Sequence, residues 1–203
     1  MQYTGTTHFI AALAALAALA AATTGCGKSE DGASDPKAAL QAVEAAVPAI
    51  NEAVPAALRD RLTFEAAKVE DDELAAAVPS GWESKHMPGS YRPADEADLG
   101  FMTRFSVGSN CDGYCKPKDW AASVQQIEFA QFETDGFEIE KDEELANGRL
   151  LVARSDDSAY VVAAWWKSDA SKYYYCRASL DDDAADAVAA FETACRNTHV
   201  LAW

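Results

Sequence analysis

Four cysteines in the second half of the chain could do chemistry: Cys111, Cys115, Cys176 and Cys195. An even number of cysteines in an exported domain is typical of two disulfides. A tight turn at residues 112–113 can bring the first two together, and a bond between the last two would join a strand to the helix after it. The sequence therefore predicts the pairs Cys111–Cys115 and Cys176–Cys195.

A four-thiolate zinc site is the alternative use of these cysteines. Structural zinc sites pair their cysteines in CxxC knuckles, whereas this chain has one CxxxC pair and two single cysteines. The same spacing also departs from the CxxC of redox-active pairs. Disulfides therefore fit the spacing better than metal or redox chemistry.

The remaining polar residues form no recognisable catalytic motif. Neither His86 nor His199 has a metal-ligating residue two or four positions further along the chain. The sequence also lacks the serine motif of hydrolases, the P-loop and the dinucleotide-binding motif. The acidic run 181–183 suits a helix start better than an EF-hand calcium loop. We therefore predict no catalytic residue, no metal and no cofactor. The alternative is a hydrolase whose site is assembled from scattered Asp and Glu residues.

Aromatic residues are the best candidates for binding a ligand. Because side chains alternate between the two faces of a strand, some of these rings must point away from the core. Tyr and Trp contribute strongly at interfaces and stack on sugars or apolar ligands. The candidate binding surface consists of Trp165, Trp166, Tyr173, Tyr174 and Tyr175. The alternative is that these rings lie under the helices of the domain.

The charge of the chain limits its partners. It carries 33 acidic and 17 basic residues, for a net charge of -16. Such a charge argues against binding to DNA or RNA and against electrostatic adhesion to anionic lipid. A cationic protein is the kind of partner that this field would attract.

Cys26 follows an apolar stretch at residues 9–22 that is too short to span a bilayer but suits the core of a signal peptide. Small residues at 23–25 precede it, and the arrangement resembles the lipobox of bacterial lipoproteins. The resemblance implies a signal peptide at 1–25, an acylated Cys26 and a flexible tether at 26–35. It also implies the bacterial cell envelope, at the outer membrane, on its periplasmic face or at the cell surface. An Ala-rich helix of a cytosolic protein is the alternative.

The segment after the tether has a helical pattern that two prolines interrupt. Apolar residues recur at threes and fours over 36–60, and Pro48 and Pro55 each remove an amide donor. We therefore predict a lead-in of short, kinked helical pieces. Residues 61–70 alternate like a strand, and 71–77 are predicted as one helical turn.

The second half of the chain gives the clearest pattern. An amphipathic helix is predicted at 118–132, with Trp120, Val124, Ile127 and Gln131 on one face. Asn147-Gly148 is a strong hairpin signal. A four-stranded antiparallel meander is predicted at 137–146, 149–154, 159–167 and 172–179, followed by a helix at 180–197.

These elements predict an α+β domain over 61–203, in which two helices cover an antiparallel sheet. The turn PSGW before a strand, the helix after DW, the meander and a last helix with AFETAC resemble the PsbP-like and Mog-like group, which includes small bacterial lipoproteins. That resemblance implies a binding or accessory module and transfers no catalytic residues.

The predicted function is a lipid-anchored binding or accessory domain of the cell envelope, without catalytic activity and with a cationic protein as a candidate partner. An immunity or inhibitor lipoprotein against a basic toxin is one alternative. An envelope hydrolase with an Asp/Glu site is the other.

Overall fold

The computed structural model describes residues 35–84, 88–95, 99–111, 118–134 and 136–202. The predicted signal peptide, Cys26 and most of the tether lie outside these residues, as do His86 and Cys115. Within the described part of the chain, no helix is long and apolar enough to cross a membrane.

Helix α1 (Pro36–Ala53) forms the lead-in. Asp35 caps its start, because the carboxylate accepts a hydrogen bond of 3.0 Å from a backbone amide of the first turn. The predicted break at Pro48 is wrong: the helix continues through it. Pro48 and Glu44, whose carbonyl loses its helical donor, are both exposed, so water can bond that carbonyl. The helix ends before Pro55.

A hairpin follows α1. Strands β1 (Phe64–Val69) and β2 (Leu74–Pro79) pair antiparallel, and the short β9 (His199–Val200) pairs with the other edge of β2. The helical turn predicted at 71–77 is wrong. Residues 70–72 instead adopt positive φ angles of 52–66°, which turn the chain within four residues.

A six-stranded antiparallel sheet is the centre of the fold. The strands are β3 (Ser90–Tyr91), β4 (Arg104–Asn110), β5 (Glu138–Leu145), β6 (Gly148–Arg154), β7 (Ser158–Trp165) and β8 (Tyr173–Asp181). They lie side by side in the order β3-β4-β8-β7-β6-β5. The last four strands in sequence are the predicted meander, and Asn147 makes its first turn with a φ of 56°.

Helical segments cover opposite faces of this sheet. On one face a 3₁₀ turn (Asp182–Ala187) leads into α3 (Val188–Arg196), which packs beside α1. On the other face lies a helical segment of mixed type, residues 120–133, which we call the cleft helix. It starts as α2 (Trp120–Val124), widens into a π-helical turn (Gln125–Phe129) and ends in a 3₁₀ turn (Ala130–Glu133).

Each face of the sheet has its own apolar core. The larger core joins α1, α3 and the β1–β2 hairpin to the sheet, and Phe191 packs there against Phe64 and Phe105 with ring centroids 5.1 and 5.5 Å apart. The smaller core lies under the cleft helix and contains Trp120 and Phe132. The α+β prediction, with helices covering an antiparallel sheet, is confirmed.

The disulfide between Cys176 and Cys195 is present and joins β8 to α3, as predicted. Both residues are fully buried, and their Cα atoms are 5.4 Å apart. Cys111 is disulfide-bonded, but its predicted partner Cys115 lies outside the described residues. No cluster of three or more metal-ligating side chains occurs in the part of the chain that the structure describes.

The fold should lose stability in mildly acidic solution through His199. Burial lowers the pKa of this imidazole below its usual 6.5. The unfolded chain therefore binds a proton first as the pH falls, so stability is lost from about pH 6.5 down to the folded-state pKa. We expect the free energy of unfolding to fall between about pH 7 and pH 5.5. The decrease should be smaller in His199→Gln, and urea unfolding at the two pH values measures it; equal decreases would contradict the assignment.

Candidate functional site

A cleft of about 820 Å³ opens on the face of the sheet that carries the cleft helix. Strands β4, β7 and β8 form its floor, and the cleft helix forms one wall. Residues 92–95, which follow β3, form the other wall. Its size is typical of pockets for small ligands.

Four side chains at the centre of the floor form a pattern that we call the arginine–serine square: Arg104 and Ser106 on β4, and Arg177 and Ser179 on β8. The strand register places Arg104 opposite Ser179 and Ser106 opposite Arg177. All four line the cleft. Because alternate residues of a strand share a face, guanidinium and hydroxyl groups occupy alternating corners of one patch.

Arg177 is held from two sides. Its guanidinium carbon lies 3.8 Å from the centre of the Tyr175 ring, and its Nη2 donates to Oε1 of Glu128. Its Nε is buried and has no hydrogen-bond partner. The side chain as a whole is 37% exposed. Arg177 is therefore fixed in direction while part of its donor capacity stays unused.

Glu128 is the buried acid of the site, with only 2% of its side chain exposed. It accepts hydrogen bonds from Arg177 and from the Tyr173 hydroxyl. Tyr173 in turn accepts one of 3.0 Å from Nδ2 of Asn110. Burial and then the hydrogen bond to Glu128 raise the pKa of Tyr173 far above its usual 10. The phenol therefore stays protonated and keeps donating to Glu128.

The π-helical turn explains why an acid, rather than the predicted apolar residue, points inward. Ile127 and Gln131 were predicted on the buried face of an ideal helix, but both are exposed, Ile127 to 40%. The wider turn shifts the helical phase, so Glu128 and Phe132 become the buried positions after Val124. Ile127 and Gln131 consequently line the cleft.

The walls of the cleft differ in character. The cleft helix contributes the exposed Ile127 and the buried Phe132, whose ring lies 5.5 Å from that of Tyr160 on the floor. The opposite wall contributes Arg92 and Asp95. The helix side therefore offers apolar groups beside the polar Gln131, and the other side adds charged groups, so the cleft can contact a ligand with two chemically different ends.

The predicted aromatic surface is largely wrong. Trp165, Tyr173 and Tyr174 are buried, at 8%, 0% and 2% exposure, because helical segments cover both faces of the sheet. Trp166 is half-buried against the smaller core. Tyr175 alone of these five lines the cleft, where it supports Arg177.

Sequence reasoning missed Glu128 and the arginine–serine square. One signal was available: alternation along β8 places Tyr175, Arg177 and Ser179 on the same face. No sequence signal places β4 beside β8, because the two strands are about 70 residues apart in the chain and pair only in the folded sheet.

Comparisons with known proteins relate this chain to others by fold. No protein-family model and no curated protein sequence matches it. Among solved structures it is similar to the Ran-binding protein Mog1p of Saccharomyces cerevisiae, with a TM-score of 0.47 and 10% identity over 69% of this chain and 96% of that one. A point mutant of the protein Mog1 gives a TM-score of 0.44 and 10% identity over 68% of this chain and 96% of that one.

Proposed function

We propose that this chain is a lipid-anchored binding domain of the cell envelope that holds its ligand in the cleft and performs no catalysis. The cleft itself supports the binding role. It combines the apolar side chains of Ile127 and Phe132 with a few convergent polar groups, and it is large enough for a ligand of drug-like size.

The side chains of the cleft support a non-catalytic role. A serine acts as a nucleophile when its hydroxyl lies beside a base. The serines of the floor, Ser106 and Ser179, instead lie opposite arginines. His199, the histidine among the described residues, does not line the cleft and so cannot serve these serines as a base. The carboxylates that line the cleft are Glu83, Asp95 and Glu128, and Glu128 is already bound by Tyr173 and Arg177.

Filling the cleft should abolish ligand capture. Ser179→Trp places an indole on the floor, whereas Ser171→Trp places one at an exposed loop position as a control. Each tagged protein is incubated with a detergent extract of envelope, and the retained molecules are identified by mass spectrometry. We expect at least about a tenfold loss with Ser179→Trp and no loss with Ser171→Trp. Equal retention by both variants would contradict the proposal that the cleft binds.

The sequence around Cys26 supports the anchor. A signal-like stretch before it and a Gly/Ser-rich tether after it are typical of acylated envelope proteins. We expect the intact mass of the membrane-bound protein to show cleavage before Cys26 and added acyl chains. We also expect Cys26→Ala to move the protein to the soluble fraction. An unprocessed N-terminus without acyl mass would contradict the anchor.

One surface favours a cationic partner as a second candidate function, inhibition of a basic protein. Strand β5 is an exposed edge of the sheet and carries five acidic residues: Glu138, Glu140, Asp142, Glu143 and Glu144. Three of these carboxylates form ion pairs, with Arg154, Arg149 and Arg196. A basic protein would have to compete with those arginines, which makes the cleft the better supported site.

A further inference from the structure

We infer that the ligand of the cleft is an anion with an apolar body. Its carboxylate or phosphate group binds the arginine–serine square, and its apolar part lies against Ile127 and Phe132. This inference rests on the proposed function, because it names the ligand class of the same cleft.

The geometry of the square suits one oxyanion. Arg104 and Arg177 occupy diagonal corners on adjacent strands, at positions whose Cα atoms are typically about 7–8 Å apart. Two guanidinium groups at that spacing can reach the same anion from opposite sides. The hydroxyls of Ser106 and Ser179 occupy the other two corners. Ser106 donates its proton to the Ser90 hydroxyl across 3.3 Å, so Ser179 supplies the hydroxyl donor for a ligand. Arginine is the side chain best suited to hold carboxylate and phosphate groups, because its planar donors match their oxygens.

The arginine side chains of the square have unused donors. Within the described residues, the side chain of Arg104 makes no hydrogen bond and no ion pair, although the chain has 33 acidic residues to its 17 basic ones. The buried Nε of Arg177 also lacks an acceptor. Arg177 lines the cleft with 37% of its side chain exposed, so donors of its guanidinium other than Nε can reach a bound anion.

The charges around the square favour an anion over a cation at this end of the cleft. Glu128 neutralises Arg177 from behind and is itself almost completely buried, so it offers no free face to a cation. Arg104 then leaves the square with an uncompensated positive charge. Glu83, Arg92 and Asp95 also line the cleft, so that part of its lining carries charges of both signs.

The apolar part of the ligand follows from the cleft helix. Ile127 is one of the few large apolar side chains that are exposed among the described residues, to 40%, and the π-helical turn directs it into the cleft. Phe132 and Val162 line the cleft beneath it but are already buried, at 3% and 4% exposure. An inorganic anion would leave the Ile127 side chain uncovered, whereas an aromatic or branched body would bury it.

The test uses the mature domain and small probes of matched shape. Benzoate and phenyl phosphate carry an anion on an aromatic ring, benzyl alcohol is the neutral counterpart, and inorganic phosphate lacks the ring. Binding is measured by calorimetry and by NMR shifts of the cleft residues. The variants are Arg104→Gln and Ser179→Ala. The control is Arg154→Gln, which removes the same charge from an exposed ion pair of strand β6.

We expect at least one of the two aromatic anions to bind with a dissociation constant below about 1 mM, and the stronger one identifies the acidic group. Binding should weaken about tenfold or more in Arg104→Gln, less in Ser179→Ala and not at all in Arg154→Gln. Benzyl alcohol and inorganic phosphate should each bind at least about tenfold more weakly than that anion.

Two results would overturn the inference. Equal binding of benzyl alcohol and benzoate, unchanged by Arg104→Gln, would show that the cleft binds ligands without selecting an anion, and the proposed function would survive. Absence of binding by both aromatic anions would also reject the anionic ligand. Failure of the proposed function is detected separately, by unchanged envelope capture in Ser179→Trp.

Discussion

Replacing Arg177 with leucine is expected to lower the free energy of unfolding by about 3 kcal/mol, because the buried Glu128 loses the cation that neutralises it. Glu128 is only 2% exposed and would keep only the Tyr173 hydroxyl as a donor. The value is at the lower end for a broken buried pair, since Arg177 is 37% exposed. For a domain of this size the melting temperature should fall by about 6–12 °C. Urea unfolding followed by tryptophan fluorescence measures the change.

Two further variants test the cause. Glu128→Gln/Arg177→Leu removes both charges but keeps an oxygen acceptor for Tyr173, so it should recover most of the lost stability. Arg154→Leu makes the same change in an exposed pair with Glu140, whose atoms are 2.6 Å apart, and should cost at most about 1 kcal/mol. If the double variant is no more stable than Arg177→Leu, the result contradicts the claim that Arg177 stabilises the fold by neutralising the buried Glu128.

The elements that could be predicted are those with local signals. Asn147-Gly148 and the alternation around it locate the meander, because a type I′ turn needs residues that tolerate positive φ. The β1–β2 hairpin was missed for the opposite reason. Its turn is made by Glu70, Asp71 and Asp72, which have positive φ without a Gly or Asn to signal it. Asp tolerates positive φ but is a weaker turn signal than Asn-Gly, so residue type gave little indication of the reversal there.

The candidate site was not predictable from local patterns, because its parts meet only in the folded sheet. Arg104 and Ser179 pair across strands that are far apart in the chain, and Glu128 contacts Arg177 from a third segment. The inward position of Glu128 also depends on a π-helical turn, which an ideal 3.6-residue period cannot show. The 3.6-residue period also predicted Ile127 on the buried face of the helix, whereas Ile127 lines the cleft.

The prediction of an exposed aromatic surface was wrong because helical segments cover both faces of the sheet. Alternation correctly requires Tyr173 and Tyr174 to point in opposite directions. Each then enters a different core, Tyr173 under the cleft helix and Tyr174 on the side of α3. Strand patterns show which residues share a face but not whether a second helix covers that face.

Removing the disulfide with Cys176→Ala/Cys195→Ala is expected to lower the free energy of unfolding by about 3 kcal/mol. The two residues are 19 positions apart, so their bond closes a loop that restricts the unfolded chain. In the folded protein it ties β8, which carries Arg177 and Ser179, to α3 on the opposite face of the sheet. We expect the urea midpoint to fall while the fold is retained, because both sites are buried and alanine leaves only a small space.

Reduction provides the control for this prediction. Dithiothreitol should destabilise the wild type by at least as much as the double variant, because it also reduces the bond made by Cys111. In the double variant the reductant acts only on the disulfide of Cys111. Any further loss of stability there therefore measures the contribution of that disulfide alone. If the double variant unfolds at the same urea concentration as the oxidised wild type, the link between β8 and α3 does not stabilise the floor of the cleft.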